Sequence, residues 1–192
     1  TGGSLSSVDI LVALYFEVMN IDPQNPEMQG RDRFIMSKGH SVESYHAVLA
    51  KRGFFSEKVL DSYGDFNSIL AGHPTRRVPG IEVNSGALGH GLSVGVGMAL
   101  AAKRSGTGCR AFILMGDGEH GEGSIMEAAA AAGHYGLDNP IAIIDRNGLQ
   151  ISGKTEEVLR IENLEVTVGC IGNIQIAVRI NPQALGSREL SG

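Results

Sequence analysis

This 192-residue chain has few cysteines, no long apolar run and no excess of basic charge, and each lack removes a class of protein. Only two cysteines occur, Cys109 and Cys170, with neither metal-ligand nor disulfide-framework spacing, so a reducing compartment is the default. No apolar stretch is long enough to cross a bilayer, and no basic, then apolar, then small-residue leader is read at the start. The expectation is a cytoplasmic protein that engages no membrane. Lys and Arg number 16 against 21 Asp and Glu, and with a net charge of −5 and a pI near 5.6 there is no basic footprint for nucleic acid. Glycine is plentiful at 27 residues, but it gathers at turns rather than in a repeat. The length suits about one domain around one sizeable core.

The most informative stretch is Gly116-Asp117-Gly118-Glu119, at the end of the apolar run Ala111 to Met115. A second turn, Asp145-Arg146-Asn147-Gly148, ends another apolar run, Ile141 to Ile144. Between them the alanine-rich segment Glu122 to Gly133 favours helix. Strand, helix and parallel strand would place both turns on the carboxyl edge of an α/β sheet, where ligands of such folds bind. Asp117 and Asn147 could then offer oxygens to one hard cation. Mg²⁺ suits such a set, because it takes one or two side-chain oxygens and completes its shell with phosphate oxygens. An ordinary tight turn is the bland alternative, since Gly-Asp-Gly alone is common.

Elsewhere, Val8, Leu11, Leu14, Tyr15 and Val18 recur at helical spacing, with Ser6 or Ser7 as the expected N-cap. Phe34 to Ser37 reads as a strand and Val42 to Lys51 as a helix stopped at Gly53. Phe66 to Gly89, punctuated by Gly72, Pro74, Pro79, Gly80 and Gly86, reads as a long functional loop. Leu92 to Lys103 is a helix of small residues suited to close packing. Val166 to Val168 and Ile174 to Val178 alternate like strands, and Arg188 to Gly192 reads as a frayed end.

Taken together, these turns and Arg31-Asp32-Arg33-Phe34, Ser37-Lys38-Gly39-His40, Gly72-His73-Pro74, Gly86-Ala87-Leu88-Gly89-His90-Gly91 and Asp145-Arg146-Asn147-Gly148-Leu149-Gln150 resemble a transketolase. The nearest likeness is to the amino-terminal, diphosphate-binding half, as in bacterial transketolases made as two chains. It runs from Thr1 to about Asn163. It implies an α/β thiamin diphosphate-binding fold, a mostly parallel sheet with helices on both faces. Residues 1–163 would form the diphosphate-binding domain, shortened at its amino end, and residues 164–192 an atypical tail matching nothing in the family. A shortened chain, a frameshift or segments joined across gaps would all read this way. In the family a Gly-His-Pro element, whose histidine contacts substrate, precedes a sequence like Gly2-Gly3-Ser4-Leu5-Ser6; it is absent here, so the chain is expected to begin inside a longer protein.

The resemblance implies roles for individual residues. Asp117, Asn147 and the backbone carbonyl of Leu149 would hold Mg²⁺ (or Ca²⁺ or Mn²⁺), which bridges to the cofactor's phosphates. Gly116 and Gly118 would let the backbone approach the diphosphate, with the Gly118 amide as donor. Gly86 and Leu88 would lie against the aminopyrimidine. His40 would reach toward diphosphate and donor substrate, and His73 toward the reacting carbons; a lone loop histidine is otherwise a solvated one. Glu122 would join a buried acidic network crossing a dimer, although Glu122 and Glu127 also read as an ordinary solvated helix face. His90, where many members carry Gln, is read equally as structural or interfacial and as a substrate contact. His120 and His134 show no ligand spacing, and Arg76 and Arg77 are either solvated or attract a sugar phosphate.

The implied activity is ketol transfer between sugar phosphates by a thiamin diphosphate- and Mg²⁺-dependent enzyme, with the cofactor carrying the hard step. The glutamate that activates the aminopyrimidine belongs, in this family, to a separate pyrimidine-binding domain. A carboxyl-terminal, pyrimidine-domain subunit is therefore the expected partner, in a homo- or hetero-oligomer, and the chain alone should be inactive. The alternatives are a related thiamin enzyme, such as 1-deoxyxylulose-5-phosphate synthase or one acting on an unusual sugar, and a non-catalytic assembly subunit. Gly89 to Gly95 also fits a loose dinucleotide fingerprint, which needs a strand immediately before it.

Overall fold

The computed structural model describes residues 2–150 and 153–158, with two short strand segments beyond them, Gly169–Ile171 and Ile174–Ile176. Its frame is a three-stranded parallel sheet: β1 (Arg33–Met36), β2 (Ala111–Gly116) and β3 (Pro140–Asp145), in that spatial order. The central β2 is apolar without a break because both its faces are covered. Phe112 and Leu114 point into one core with Leu11, Tyr15, Phe34, Tyr45 and Leu49. Ala111, Ile113 and Met115 point into the other with Ile35, Leu92, Val96, Ile125 and Ala128. The period-two alternation of a strand thus feeds two separate layers.

The first layer consists of α1 (Gly2–Ala13), which continues through a wider turn at Leu14–Val18, and α2 (Val42–Arg52). The second consists of α3 (His90–Ser105) and α4 (Gly123–His134), which forms the crossover from β2 to β3. The expected α/β architecture with helices on both faces is therefore present. One boundary is corrected: α1 already begins at Gly2, so neither Ser6 nor Ser7 caps it. The Ser7 hydroxyl instead donates back to the Gly3 carbonyl within the helix at 3.0 Å, and the Ser6 hydroxyl shares its one proton between that carbonyl at 2.9 Å and Asp145. α2 stops where expected: Gly53 adopts φ 97° and its amide closes on Leu49 and Ala50.

Between Ser62 and His90 the chain forms no helix or strand. The long loop is nevertheless anchored, with Leu70 and Val78 buried as pegs and the Ser85 hydroxyl donating to the Met36 carbonyl at 2.7 Å. After β3 the chain forms a two-stranded hairpin, β4 (Leu149–Gln150) with β5 (Gly153–Lys154), and a single turn, α5 (Thr155–Val158). Gly169–Ile171 and Ile174–Ile176 pair antiparallel, which covers part of the second expected tail strand. Val166–Val168 and Arg188–Gly192 lie outside the described residues. Among the described residues no helix is long and apolar enough to cross a membrane.

Candidate functional site

Parallel pairing brings Gly116 opposite Asp145, so β2 and β3 end level and their turns sit side by side. The amide of Asp117 donates to the Asp145 carbonyl at 3.3 Å, joining the two turns. Above them opens a cavity of about 600 Å³ at the carboxyl edge of the sheet. The β1 tip contributes Lys38 and His40 to its wall, and the long loop contributes His73, Gly86 and Leu88. The β2 turn adds Gly116, Asp117, Gly118, Glu119 and Glu122, and the β3 turn adds Asn147 and Leu149. His40, His73, Gly86, Leu88, Gly116, Asp117, Gly118, Glu122, Asn147 and Leu149, each given a site role from the sequence, all line this one cavity.

Asp117 is 2% exposed and its carboxylate accepts three hydrogen bonds from the described residues. Oδ1 takes the Gly118 amide at 3.0 Å; Oδ2 takes the Gly148 amide and the Thr155 hydroxyl, both at 2.8 Å. The Gly118 amide, expected to face phosphate, is engaged with Asp117 in this arrangement. Asn147 is exposed, and its side-chain oxygen accepts the Leu149 amide at 3.0 Å in an Asx turn. The donor set is hard oxygen, which suits Mg²⁺. Among the described residues no group of three or more His, Cys, Asp or Glu side chains could hold a metal. A cation here would need phosphate or water oxygens to complete its shell, as Mg²⁺ commonly does.

The two histidines occupy different settings. Burial, with the Lys38 ammonium next, holds the His40 pKa below its ordinary value against the opposing pull of Glu119, so the imidazole is neutral at pH 7. The His73 ring lies against backbone: a Cβ on Gly86 would sit 3.0 Å from its Cδ2, and one on Gly39 3.2 Å. These glycines allow the long loop and the β1 turn to approach one edge of the ring, which is otherwise exposed. The N-termini of α3 and α4 meet at Gly89, which has φ 81° and whose carbonyl accepts the Ser124 hydroxyl at 2.9 Å. Both helices are long enough to carry a positive N-terminal end, favourable to anions.

Four polar groups of the site were not singled out from the sequence. Glu119, 2% exposed, accepts from the Ser37 hydroxyl, from the Gly89 amide at 2.9 Å and from the Gly116 amide at 3.1 Å. One carboxylate therefore ties together three of the loops lining the cavity. Lys38, 1% exposed, forms an ion pair with Asp145 and donates to the Gly3 carbonyl at 3.1 Å. The Ser6 hydroxyl completes this group with a 2.6 Å bond to Asp145. Thr155 binds Asp117 from 38 residues away. Lys38 and Glu119 were visible as charges inside the motifs; Thr155 carried no local signal.

Glu122 is exposed in this chain at the cavity lining. Glu127 is exposed on α4, and His134 is exposed against Tyr135, ring centroids 5.0 Å apart. His120 is partly buried, with its pKa lowered by burial. His90 and the exposed Arg76 and Arg77 lie outside the cavity lining; His90 Nδ1 sits 3.1 Å from the Leu88 carbonyl. No strand leads into Gly89, so the dinucleotide fingerprint fails its structural requirement.

Comparison with known proteins places these features in context. The family described as "Transketolase, thiamine diphosphate binding domain" matches residues 1–167. One subunit of the apulose-4-phosphate transketolase of Phocaeicola vulgatus is 60% identical over 163 residues, covering 85% of this chain and 58% of that protein. The "6-deoxy-6-sulfo-D-fructose transketolase subunit SqwG" of a Clostridium species is 44% identical over 165 residues, covering 85% and 60%. Among solved structures, the transketolase of Leishmania mexicana superposes with a TM-score of 0.72 at 34% identity, over 78% of this chain and 24% of that one. The chain thus spans about three fifths of the length of the curated relatives it matches.

Proposed function

The chain belongs to the transketolase family, carrying its thiamine diphosphate binding domain, and from that premise we propose that it supplies the diphosphate- and metal-binding half of a ketol-transfer site for sugar phosphates. The observation that supports this most is the level pairing of β2 with β3, which sets Asp117 and Asn147 at one cavity with both histidines. Asp117, the Asn147 side chain and the Leu149 carbonyl are the residues to hold Mg²⁺. Gly116 and Gly118 would let the backbone approach the diphosphate, and the N-terminal ends of α3 and α4 would supply the field that favours an anion. Gly86 and Leu88, both in the cavity lining, would lie against the aminopyrimidine.

When bound, thiamin diphosphate supplies the carbanion that cleaves a ketose beside its carbonyl and passes a two-carbon unit to an aldose. The protein positions the reactants. His40, neutral at pH 7, can donate one hydrogen bond and accept another at the donor sugar. His73, steadied by Gly39 and Gly86, is set toward the reacting carbons. Lys38 neutralises Asp145, so that Asp117 is not left beside a second uncompensated carboxylate. The proposed partner is a pyrimidine-domain polypeptide, since relatives 60% and 49% identical to this chain are themselves named as single subunits of transketolases, and it would cover Glu122. Those relatives' names point to a ketose with a charged phosphate or sulfonate end as the substrate class. Residues 1–163 as one domain, an oligomeric assembly and a cytoplasmic location belong to the same proposal.

The test is calorimetric titration of thiamin diphosphate with Mg²⁺ into the assembled protein. Asp117→Ala should abolish Mg²⁺-dependent binding while the assembly stays intact. Retained affinity would remove Asp117 from the metal site.

A further inference from the structure

Asp117 is the carboxylate on which the proposed metal site depends, and its four lone-pair positions can be counted. Two positions, both on Oδ2, take the Gly148 amide and the Thr155 hydroxyl at 2.8 Å. One position on Oδ1 takes the Gly118 amide at 3.0 Å. A single Oδ1 lone pair remains free of these bonds. The arrangement is firmly held, because Thr155 is 2% exposed and its own amide donates to the Gly148 carbonyl at 3.0 Å. The hairpin between Gly148 and Thr155 thereby closes a ring on the metal turn, and its base grips the side of the carboxylate away from Oδ1.

We propose that Thr155 is a positioning residue that makes Asp117 a one-oxygen metal ligand, and that it thereby sets the preference of the site for Mg²⁺ over Ca²⁺. Mg²⁺ requires a near-ideal octahedron, in which a carboxylate contributes one oxygen at one vertex. Ca²⁺ tolerates six to eight ligands in a flexible shell and readily takes both oxygens of a carboxylate. With Oδ2 saturated by Thr155 and Gly148, chelation through both oxygens is blocked. Without the Thr155 hydroxyl, Oδ2 regains a lone pair and the carboxylate is free to turn both oxygens toward the larger ion. Groups that hydrogen-bond a metal ligand commonly tune affinity about tenfold to a hundredfold. The inference rests on the reading of Asp117 as a metal ligand.

The experiment uses the full chain co-purified with its pyrimidine-domain partner and saturated with thiamin diphosphate. MgCl₂ and CaCl₂ are titrated separately by calorimetry into the wild type, T155V, T155A, T155S and D117A. In T155V the Mg²⁺ affinity should fall about tenfold, while the Ca²⁺ affinity holds or rises, so the Mg²⁺:Ca²⁺ ratio falls. T155A, which removes the hydroxyl without placing a methyl beside the carboxylate, should show the same change, and T155S should keep the wild-type ratio. A role confined to folding would weaken both ions alike. Ratios in T155V and T155A indistinguishable from the wild type would overturn the proposal, as would a T155S ratio matching T155V. D117A separates the two readings: wild-type Mg²⁺ affinity there would overturn the ligand assignment itself. Its loss, with an unchanged ratio in T155V, would overturn the role of Thr155 alone.

Discussion

Single residues in this chain carry costs that show what the fold must hold in place. His46 on α2 is 1% exposed, and neither ring nitrogen has a hydrogen-bond partner among the described residues. Its ring meets the edge of Tyr63 with centroids 6.1 Å apart. Burial pushes its pKa down to about 4, with Glu43 pulling the other way. Because the folded value lies below the unfolded one, the two states hold the same proton count only well above pH about 6.5. As pH falls from there toward 4, the unfolded chain binds a proton that the folded chain refuses, and stability is lost. The loss should reach about 2 kcal/mol at pH 5. His46→Leu should remove this component, so the drop in unfolding free energy between pH 7.5 and pH 5, read by urea denaturation, should be smaller than in the wild type. An equal drop in both proteins would show that His46 protonates in place. Lys38 and Asp145 are the opposite case, a buried pair whose polar atoms are met by Gly3 and Ser6; removing one partner would strand the other charge.

At the scale of elements, the small residues of α3 have unequal roles. A Cβ on Gly91 would lie 2.4 Å from Ser37 Cβ and 3.0 Å from Ser37 Cα, so the β1 turn would have to move. Ser37 also donates to Glu119, the carboxylate that joins the loops of the cavity. Gly97, on the same helix, has open space where its Cβ would be. Gly91→Ala should therefore destabilise by about 1–3 kcal/mol through overpacking. Gly97→Ala should stabilise by about 0.5–1 kcal/mol through helix propensity. Urea midpoints of the two variants check this; equal shifts would mean that α3 does not approach the β1 turn as closely as the glycine geometry requires. The helix was legible from its sequence, since Leu92 to Lys103 falls within the observed His90–Ser105. Which of its glycines matters was not legible, because Ser37 lies 54 positions earlier in the chain. The mistaken N-cap at Ser6 or Ser7 has a similar origin. Serine favours caps and also back-bonds inside helices, and only the observed partner, the Gly3 carbonyl, distinguishes the two.

At the scale of the whole molecule, the cavity has an unfinished wall. Leu149 and Val158 on its lip are 64% and 46% exposed, and Leu5, Val12 and Phe16 make an uncovered apolar stripe along α1 and its continuation. The chain also spans only about three fifths of its curated relatives. Thiamin diphosphate with Mg²⁺ should therefore bind tightly only when a pyrimidine-domain polypeptide is present. Calorimetric titration with and without that co-expressed partner checks this. Binding in both states would make this chain a self-sufficient cofactor domain, and binding in neither, with both proteins folded and associated, would make it a relic of the family.

The local sequence indicated the main strands and helices and part of the chemical vocabulary of the site. The apolar runs before Gly116 and Asp145 pointed to neighbouring strands, the alanine-rich segment between them pointed to the crossover helix, and the motifs, through the family resemblance, named most of the cavity lining. These are short-range facts, carried by periodicity and by residue types that side-chain sterics and hydrogen-bonding capacity restrict. The tertiary structure alone decided the long-range pairings: Lys38 with Asp145, Glu119 with the Ser37 hydroxyl and two backbone amides, and Thr155 with Asp117. Such pairings join residues whose separation along the chain has no period, and only the packed sheet brings their atoms within hydrogen-bond reach.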